Sequence, residues 1–286
     1  MKKESYLRSV EIMSNQDFIK FSQFIHSRLG IKMPPQKKSM LEARLRKRLR
    51  ALGLKSFGEY RNMFFSEEGM ALELANLCNA VTTNKTDFFR EPAHFDFLTT
   101  TGMDELKRRF FPSVKADLQV WSAGCSTGEE PYTLAMVLAE WFGEQGDDDF
   151  SILATDLSTR VLDTARTAIY DMDRILPVSH TLRRKYLLKS KDKDRRQVRI
   201  GHRLRSRLRF RQLNFMDPDY EITHSFHIIF CRNVIIYFDR PTQKTIVGRI
   251  CRHLLSGGFL FMGHSETLSG LDLPLQQVAP SVYRKI

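Results

Sequence analysis

The chain has 286 residues, 42% of them hydrophobic, enough to bury the core of one large domain and a smaller one, and it carries a formal net charge of +12. No apolar run approaches the ~20 residues that cross a bilayer, and the N-terminal stretch MKKESYLRSVEIMSNQ lacks the apolar core of a signal peptide, so a cytoplasmic protein without membrane insertion is expected. The charge asks for an acidic partner: nucleic acid, an anionic membrane face or an acidic protein. Cys78, Cys125, Cys231 and Cys251 stand far apart without a Cys-x-x-Cys pair, and His224 and His227 have no neighbouring ligands, so neither a disulfide nor a metal site is expected.

In chain order, helices come first. DFIKFSQFIHSRLG places Phe18, Phe21, Phe24 and Ile25 at helical spacing and stops at Gly30, with Pro34 and Pro35 in the following turn. In QKKSMLEARLRKRLRALG, Leu41, Leu45, Leu49 and Leu52 repeat on one face, whereas Lys37, Lys38, Arg44, Arg46, Lys47, Arg48 and Arg50 fill the rest. Glu42 is the one carboxylate in that run, so little internal pairing hides the charge, and Lys47, Arg48 and Arg50 are read as a docking surface for an anionic partner. SFGEYRNMFFS and ALELANLCNAVT form two further short helices, closed by the polar stretch TTNKTDFFREP.

After residue 115 the period changes. Apolar strands (ADLQVWSA, FSILATDLS, RLRFRQLN, HIIFCRNVIIYF, FLFMGHSE, SVYRKI) alternate with the helices PYTLAMVLAEWF, STRVLDTARTAIY and PTQKTIVGRICRHL, the pattern of a doubly wound parallel sheet with one antiparallel edge. Gly257 and Gly258 are expected to form the turn into FLFMGHSE. The predicted fold is therefore α/β, with a basic helical domain over residues 15–88 and a doubly wound domain over 89–286.

The chemistry centres on VWSAGCSTGEEPY, a strand, a tight turn at Gly124 and Gly128, and a helix start at Pro131. A helix start commonly seats phosphate, yet Glu129 and Glu130 would repel one, and the G-x-G-x-x-G fingerprint of dinucleotide enzymes is missing. The next strand ends in Asp156, which suits a carboxylate that accepts both ribose hydroxyls. A nucleoside with positive charge in place of phosphate meets both conditions, and S-adenosylmethionine is such a molecule.

Five ordered segments, TTNKTDFFRE, SAGCSTGEEPY, ATDLS, FCRNVIIYFD and GGFLFMGHSE, resemble the motifs of the CheR family of chemotaxis-receptor glutamate methyltransferases, and the resemblance covers essentially the whole chain. It implies a helical domain followed by a Rossmann-like, S-adenosylmethionine-dependent methyltransferase domain with S-adenosylhomocysteine as product. It implies that Asn84, Thr86 and Arg90 touch the methionine end of the cofactor, that Glu130 or Glu129 meets its ammonium, and that Asp156 holds its ribose. Asn214 and Phe215 resemble the residues flanking adenine, and Arg232 and Asn233 lie at the mouth of the site. Arg44 and Tyr237 resemble the residues near the reacting methyl group, where they would orient the substrate carboxylate. The implied partner is the acidic helical bundle of a membrane chemoreceptor's cytoplasmic domain, met by a monomeric enzyme.

A small antiparallel β subdomain is expected at about residues 180–205, between TLRRKYLLKS and QVRIGHRLRS. Some family members carry glycines there that let a receptor's C-terminal tether peptide pair along an edge strand; the turn KSKDKDRRQ has none, so docking without a tether is expected. A nucleic-acid methyltransferase shares the cofactor fold, but no Asn-Pro-Pro-Tyr or Asp-Pro-Pro-Tyr segment is present and the basic helix has no interleaved aromatics for stacking, so nucleic acid is not the expected partner. A catalytically silent cofactor-binding module is the other alternative.

Overall fold

The computed structural model describes residues 12–111, 117–143, 150–192 and 194–286. Residues 1–11, part of the stretch read as lacking a signal-peptide core, lie outside them, as do Ala116 of ADLQVWSA and Lys193 of the KSKDKDRRQ turn. The chain forms two compact units, one up to Thr83 and one from Asn84 onward.

The first unit is helical among its described residues: α1 (Asn15–Leu29), a 3-10 turn (Pro35–Lys37), α2 (Lys38–Leu52), α3 (Phe57–Phe64) and α4 (Glu67–Val81). Ser14, Ser56 and Ser66 cap α1, α3 and α4 by accepting the backbone N–H of Asp17, Glu59 and Gly69 at 3.0, 3.1 and 3.1 Å. The apolar stripes meet in one core, where Phe21 lies 5.4 Å from Tyr60 and 5.7 Å from Phe64 between ring centroids. Leu41, Leu45 and Leu49 are fully buried, as their spacing predicts, but Leu52 is 41% exposed. It is the last residue of α2, and Gly53 turns the chain away in the left-handed conformation before Leu52 can reach the core.

The second unit begins with a helical segment that the sequence pattern did not announce: α5 (Ala93–Phe97), a π-helical turn (Leu98–Gly102) and α6 (Met103–Phe110). Then follow β1 (Leu118–Ala123), α7 (Glu129–Phe142), β2 (Phe150–Asp156), α8 (Thr159–Thr167), β3 (Ile169–Asp171), α9 (His180–Tyr186), β4 (Leu187–Lys189), β5 (Gln197–Ile200), α10 (His202–Arg205), β6 (Leu208–Gln212), β7 (Phe226–Cys231), a 3-10 turn (Ile235–Tyr237), α11 (Arg240–Arg252), β8 (Leu254–Met262), β9 (Leu275–Ala279) and β10 (Val282–Lys285). The main sheet has the order β6-β2-β1-β7-β8-β10-β9; β6 to β8 run parallel, and β10 pairs antiparallel with both β8 and β9. Alternate strand residues feed two cores, one on each face. Val120, Ile228 and Phe261 pack with α7, and Trp121, Ile229 and Leu260 pack with α11. This is the doubly wound arrangement, and β1 lies at its switch point, with β2 on one side and β7 on the other.

Three expectations change. Gly257 and Gly258 do not form a turn but lie inside β8, where pairing jumps from Phe226–Leu254 to Ile228–Phe259; Gly257 takes φ +87° to absorb the irregularity. The helix expected over STRVLDTARTAIY ends at Thr167, because Ala168 turns left-handed at φ +54° and Ile169–Asp171 becomes β3. The strand expected over HIIFCRNVIIYF stops at Cys231, where Asn233 adopts φ +59° and starts a turn. The inserted sheet is present and antiparallel, in the order β3-β5-β4, so its third strand comes from upstream of residue 180.

Candidate functional site

The functional side chains of the second unit gather at the C-terminal ends of β1, β2 and β7, where ligands of open α/β sheets bind. Gly124 and Gly128 shape the loop after β1, at φ +89° and +98°. A Cβ on Gly124 would fall 2.4 Å from Val234 Cγ2, and one on Gly128 would fall 2.8 Å from the Tyr170 hydroxyl, so both turns need glycine for conformation and for space.

Asp156, the last residue of β2, accepts the backbone N–H of Ser126 and of Ser158, each at 2.9 Å. Burial pushes its carboxyl up, against the pull of those N–H donors. Glu130, in the first turn of α7, accepts from the Ser122 hydroxyl at 2.7 Å on one oxygen and from Arg232 Nε at 2.8 Å on the other. Arg232 is itself buried; its Nη1 donates to the Arg90 carbonyl at 2.7 Å and lies 3.2 Å from His94 Nδ1. Burial, then the neighbouring Arg232 charge, pulls His94 down to about 4, so its ring is neutral at physiological pH. Glu129 accepts from the Thr127 hydroxyl and from Arg174, both at 2.6 Å, and Arg174 also donates to the Thr86 carbonyl at 2.6 Å.

Asn84 and Asn233 join the same network, through Ser126 and Glu91. The Asn84 carbonyl accepts from the Ser126 hydroxyl at 2.9 Å. Leu213 N–H donates to the Asp156 carbonyl at 3.0 Å and so sets the following Asn214 and Phe215 beside the end of β2; the Asn214 side chain accepts Met216 N–H, and Phe215 is buried against Tyr220. Asn233 is half-buried, and Tyr237 lies half-buried in the 3-10 turn that follows it. Arg44 and the basic cluster belong to the first unit. Arg44 donates to the Val81 and Thr82 carbonyls and to the Thr83 hydroxyl. Lys47 and Arg50 are exposed, but Arg48 holds Glu73 through two bonds of 2.6 and 2.9 Å, so its charge serves the helical core.

Sequence reasoning missed several participants. Ser122, Ser126, Arg174, Glu91 and His94 support the site, and Glu266 does so most completely. Its buried carboxylate accepts Gly263 N–H at 2.7 Å and Asn233 and Ile235 N–H at 2.8 Å each, fixing the turn that carries Asn233 and Tyr237. Glu91 and Glu266 stood inside recognised motifs, FFRE and GHSE; Arg174 stands in no motif. Glu91, His94 and His264 bring potential ligand atoms within 4.8 Å of one another, but Arg232 Nη1, 3.5 Å from Glu91 Oε2, sets a fixed positive charge against any cation there.

The donor set fits S-adenosylmethionine. Asp156 keeps lone pairs free for a ribose diol beyond the two N–H groups it already accepts. Glu129, Glu130 and Asp156 are three buried carboxylates with two guanidinium partners, an environment that favours a cationic guest over a pyrophosphate.

A doubly wound sheet with such a carboxylate cluster at its switch point defines a nucleoside-binding α/β protein of the methyltransferase class. Residues 84–283 match the CheR methyltransferase SAM binding domain, and residues 16–82 match the CheR methyltransferase all-alpha domain. The chain belongs to the CheR methyltransferase family, and its cofactor is S-adenosylmethionine. The chemotaxis protein methyltransferase of Borreliella burgdorferi is 37% identical over 275 residues, covering 96% of this chain and 95% of that protein. The chemotaxis protein methyltransferases of Salmonella typhimurium and Escherichia coli are 37% and 36% identical over 271 residues, each covering 95% of this chain and 90% and 91% of those proteins.

Proposed function

We propose that this methyltransferase esterifies glutamate side chains on the cytoplasmic helices of membrane chemoreceptors, as a cytoplasmic monomer, in chemotactic adaptation. The observation that carries this reading is the full-length match to both CheR domains, joined to a site whose buried carboxylates suit a sulfonium nucleoside.

S-adenosylmethionine supplies an electrophilic methyl group on a positively charged sulfur. A glutamate carboxylate, with a reference pKa of ~4.3, is already an anion at neutral pH and needs no general base. The protein's task is placement. Asp156 accepts the ribose hydroxyls, with Asn214 and Phe215 beside the base. Glu130, held by Ser122 and Arg232, accepts the ammonium, with Glu129, Asn84, Thr86 and Arg90 completing the methionine end and Asn233 the mouth. Tyr237 and Arg44 hydrogen-bond the incoming carboxylate and orient it for in-line attack, which can supply several kcal/mol of barrier lowering, well within the roughly 7–11 kcal/mol available from positioning. A hydrogen bond too strong would blunt the nucleophile, so their role is orientation.

Receptor docking uses Lys47 and Arg50 on α2, with no tether peptide required. β3 and β4, the edges of the small sheet, are three residues long and offer little ladder for strand addition.

The test is the alkali lability of the product. The protein is incubated with methyl-labelled S-adenosylmethionine and bacterial membranes, and the pH is then raised. A glutamate methyl ester releases volatile methanol, whereas methyl groups on lysine or nucleobase nitrogen stay in place. Volatile label from a receptor-sized protein is expected; alkali-stable label on nucleic acid would establish a nucleic-acid methyltransferase, and no transfer despite cofactor binding would establish a silent module.

A further inference from the structure

The net charge of the chain is concentrated in one place. Residues 180–211 hold 14 Lys and Arg against 2 Asp, a net +12, which leaves 31 basic and 31 acidic residues in the rest of the chain. The whole formal charge of the protein therefore belongs to the inserted subdomain and the strand that follows it. The carboxylates nearby take up only part of it: Lys185 pairs with Glu140, Arg195 with Asp192 and Arg196 with Asp173. Arg184, Lys189, Lys191, Arg199 and Arg209 are exposed and have no ion-pair partner among the described residues.

Apolar side chains are exposed among these cations. In the small sheet Arg199 of β5 lies opposite Ile169 of β3 on one side and Leu188 of β4 on the other. All three side chains point to the solvent face, with Ile169 42% and Leu188 59% exposed, and Leu176, in the turn between β3 and α9, is 66% exposed. The row runs across three paired strands, so it is a shallow surface rather than a groove for a side chain or a peptide.

We propose that this inserted subdomain is a peripheral membrane-docking surface for anionic lipid headgroups. An anionic bilayer presents many phosphates over a broad plane and admits isolated aliphatic side chains between headgroups, which matches unpaired cations interspersed with Ile169, Leu176 and Leu188. Single-stranded nucleic acid fits less well, because the aromatic residues of the small sheet and α9, Tyr170 and Tyr186, are buried and offer no stacking platform. The surface is distinct from the site at the ends of β1, β2 and β7. Its use, concentrating the enzyme where membrane receptors are, rests on the function proposed above.

The test sediments the full-length protein with vesicles of phosphatidylcholine alone or mixed with phosphatidylglycerol, with neither receptor nor methyl donor present. Binding is expected to the mixed vesicles, to fall steeply as salt rises past ~0.1 M, where the Debye length is about 10 Å, and to be weak on the neutral ones. Each cation near an anionic surface contributes roughly fivefold in partitioning, so the joint variant Arg184→Gln, Lys189→Gln, Lys191→Gln, Arg199→Gln should bind at least ~10-fold more weakly. Ile169→Ser with Leu188→Ser should bind severalfold more weakly at unchanged salt dependence. These side chains are exposed, so unchanged S-adenosylmethionine affinity and melting temperature verify the fold of each variant. Equal sedimentation with neutral and anionic vesicles overturns the proposal, even if every variant misfolds. Undiminished vesicle binding by the charge variant overturns it too, as does duplex DNA or a soluble receptor fragment binding the same residues more tightly than the vesicles. A failure here leaves methyl transfer to a soluble receptor fragment intact, and loss of that transfer leaves vesicle binding intact.

Discussion

Asp156 ends β2 with its carboxylate locked by two backbone N–H groups, one on each oxygen. Asp156→Ala should weaken binding of S-adenosylmethionine and S-adenosylhomocysteine together, roughly tenfold to hundredfold, because two ribose hydroxyls lose an ionised acceptor. Unchanged affinity by calorimetry would remove Asp156 from the site. A second residue-level outcome concerns pH. His94 takes up its proton at about 4 when folded and near 6.5 when unfolded, so the unfolded chain binds more protons between those values. Stability should therefore drop as pH falls through that window, by up to about 3 kcal/mol from this residue. Replacing it, His94→Gln, should lower stability at pH 7 through lost packing yet flatten the decline between pH 6.5 and 4; an equally steep decline in denaturant titrations would contradict the assignment. Asp156 and Glu130 were readable because each sits at a position that the strand-turn-helix pattern names. Arg232 was named from its motif, but its partner His94 was not, since the two stand 138 positions apart in the chain and meet at 3.2 Å only in the fold.

At the scale of elements, α2 carries two kinds of cation that its amphipathic pattern cannot distinguish. Arg48 is tied to the buried Glu73, which also accepts from the Tyr60 hydroxyl at 3.2 Å and the Asn76 side-chain amide at 2.9 Å, whereas Lys47 and Arg50 face solvent. Arg48→Ala should destabilise the protein by about 2 kcal/mol, because Glu73 is left as a buried charge with one hydrogen-bonded cation fewer. Lys47→Ala with Arg50→Ala should leave the melting temperature unchanged and reduce receptor methylation in a salt-dependent way; rates indifferent to salt would make that face a solvated surface only. The turn after β7 depends on Glu266 as an acceptor for three N–H groups. Glu266→Gln replaces an oxygen with a donor in that nest, and should raise KM for S-adenosylmethionine several times more than it lowers the melting temperature of the chain would explain, while Glu266→Asp should recover part of the loss. Equal cofactor KM in wild type and Glu266→Gln would show that the turn holds without it. Helical period and strand alternation announced most elements here, because each is a local pattern. The breaks at Ala168, Asn233 and Gly257 were not announced, since a left-handed residue in the middle of an apolar run is dictated by the partner strand or by a distant carboxylate.

At the scale of the molecule, one chain joins a helical unit with a cationic helix to a doubly wound unit in which residues 180–211, the inserted subdomain and the strand after it, hold the net charge. The motifs marked the cofactor domain, whereas the charge of the insertion was visible in the sequence but lay in no motif, and only the pairing of Arg199 with Ile169 and Leu188 gave it a face. The short edges of that sheet give a further expected outcome: receptors with and without a C-terminal tether peptide should be methylated at equal rates, and calorimetric binding of such a peptide to the isolated enzyme would contradict it. The proposed acceptor is a glutamate carboxylate, and the decisive experiment is mass spectrometry of a purified receptor cytoplasmic fragment after incubation with the protein and S-adenosylmethionine. Peptides heavier by one methylene group on glutamate side chains are expected, a gain that mild alkali reverses and that disappears when those glutamates are replaced by alanine. Methylation confined to lysine or to the chain termini, or a fragment unchanged by an enzyme that binds the cofactor, would contradict it.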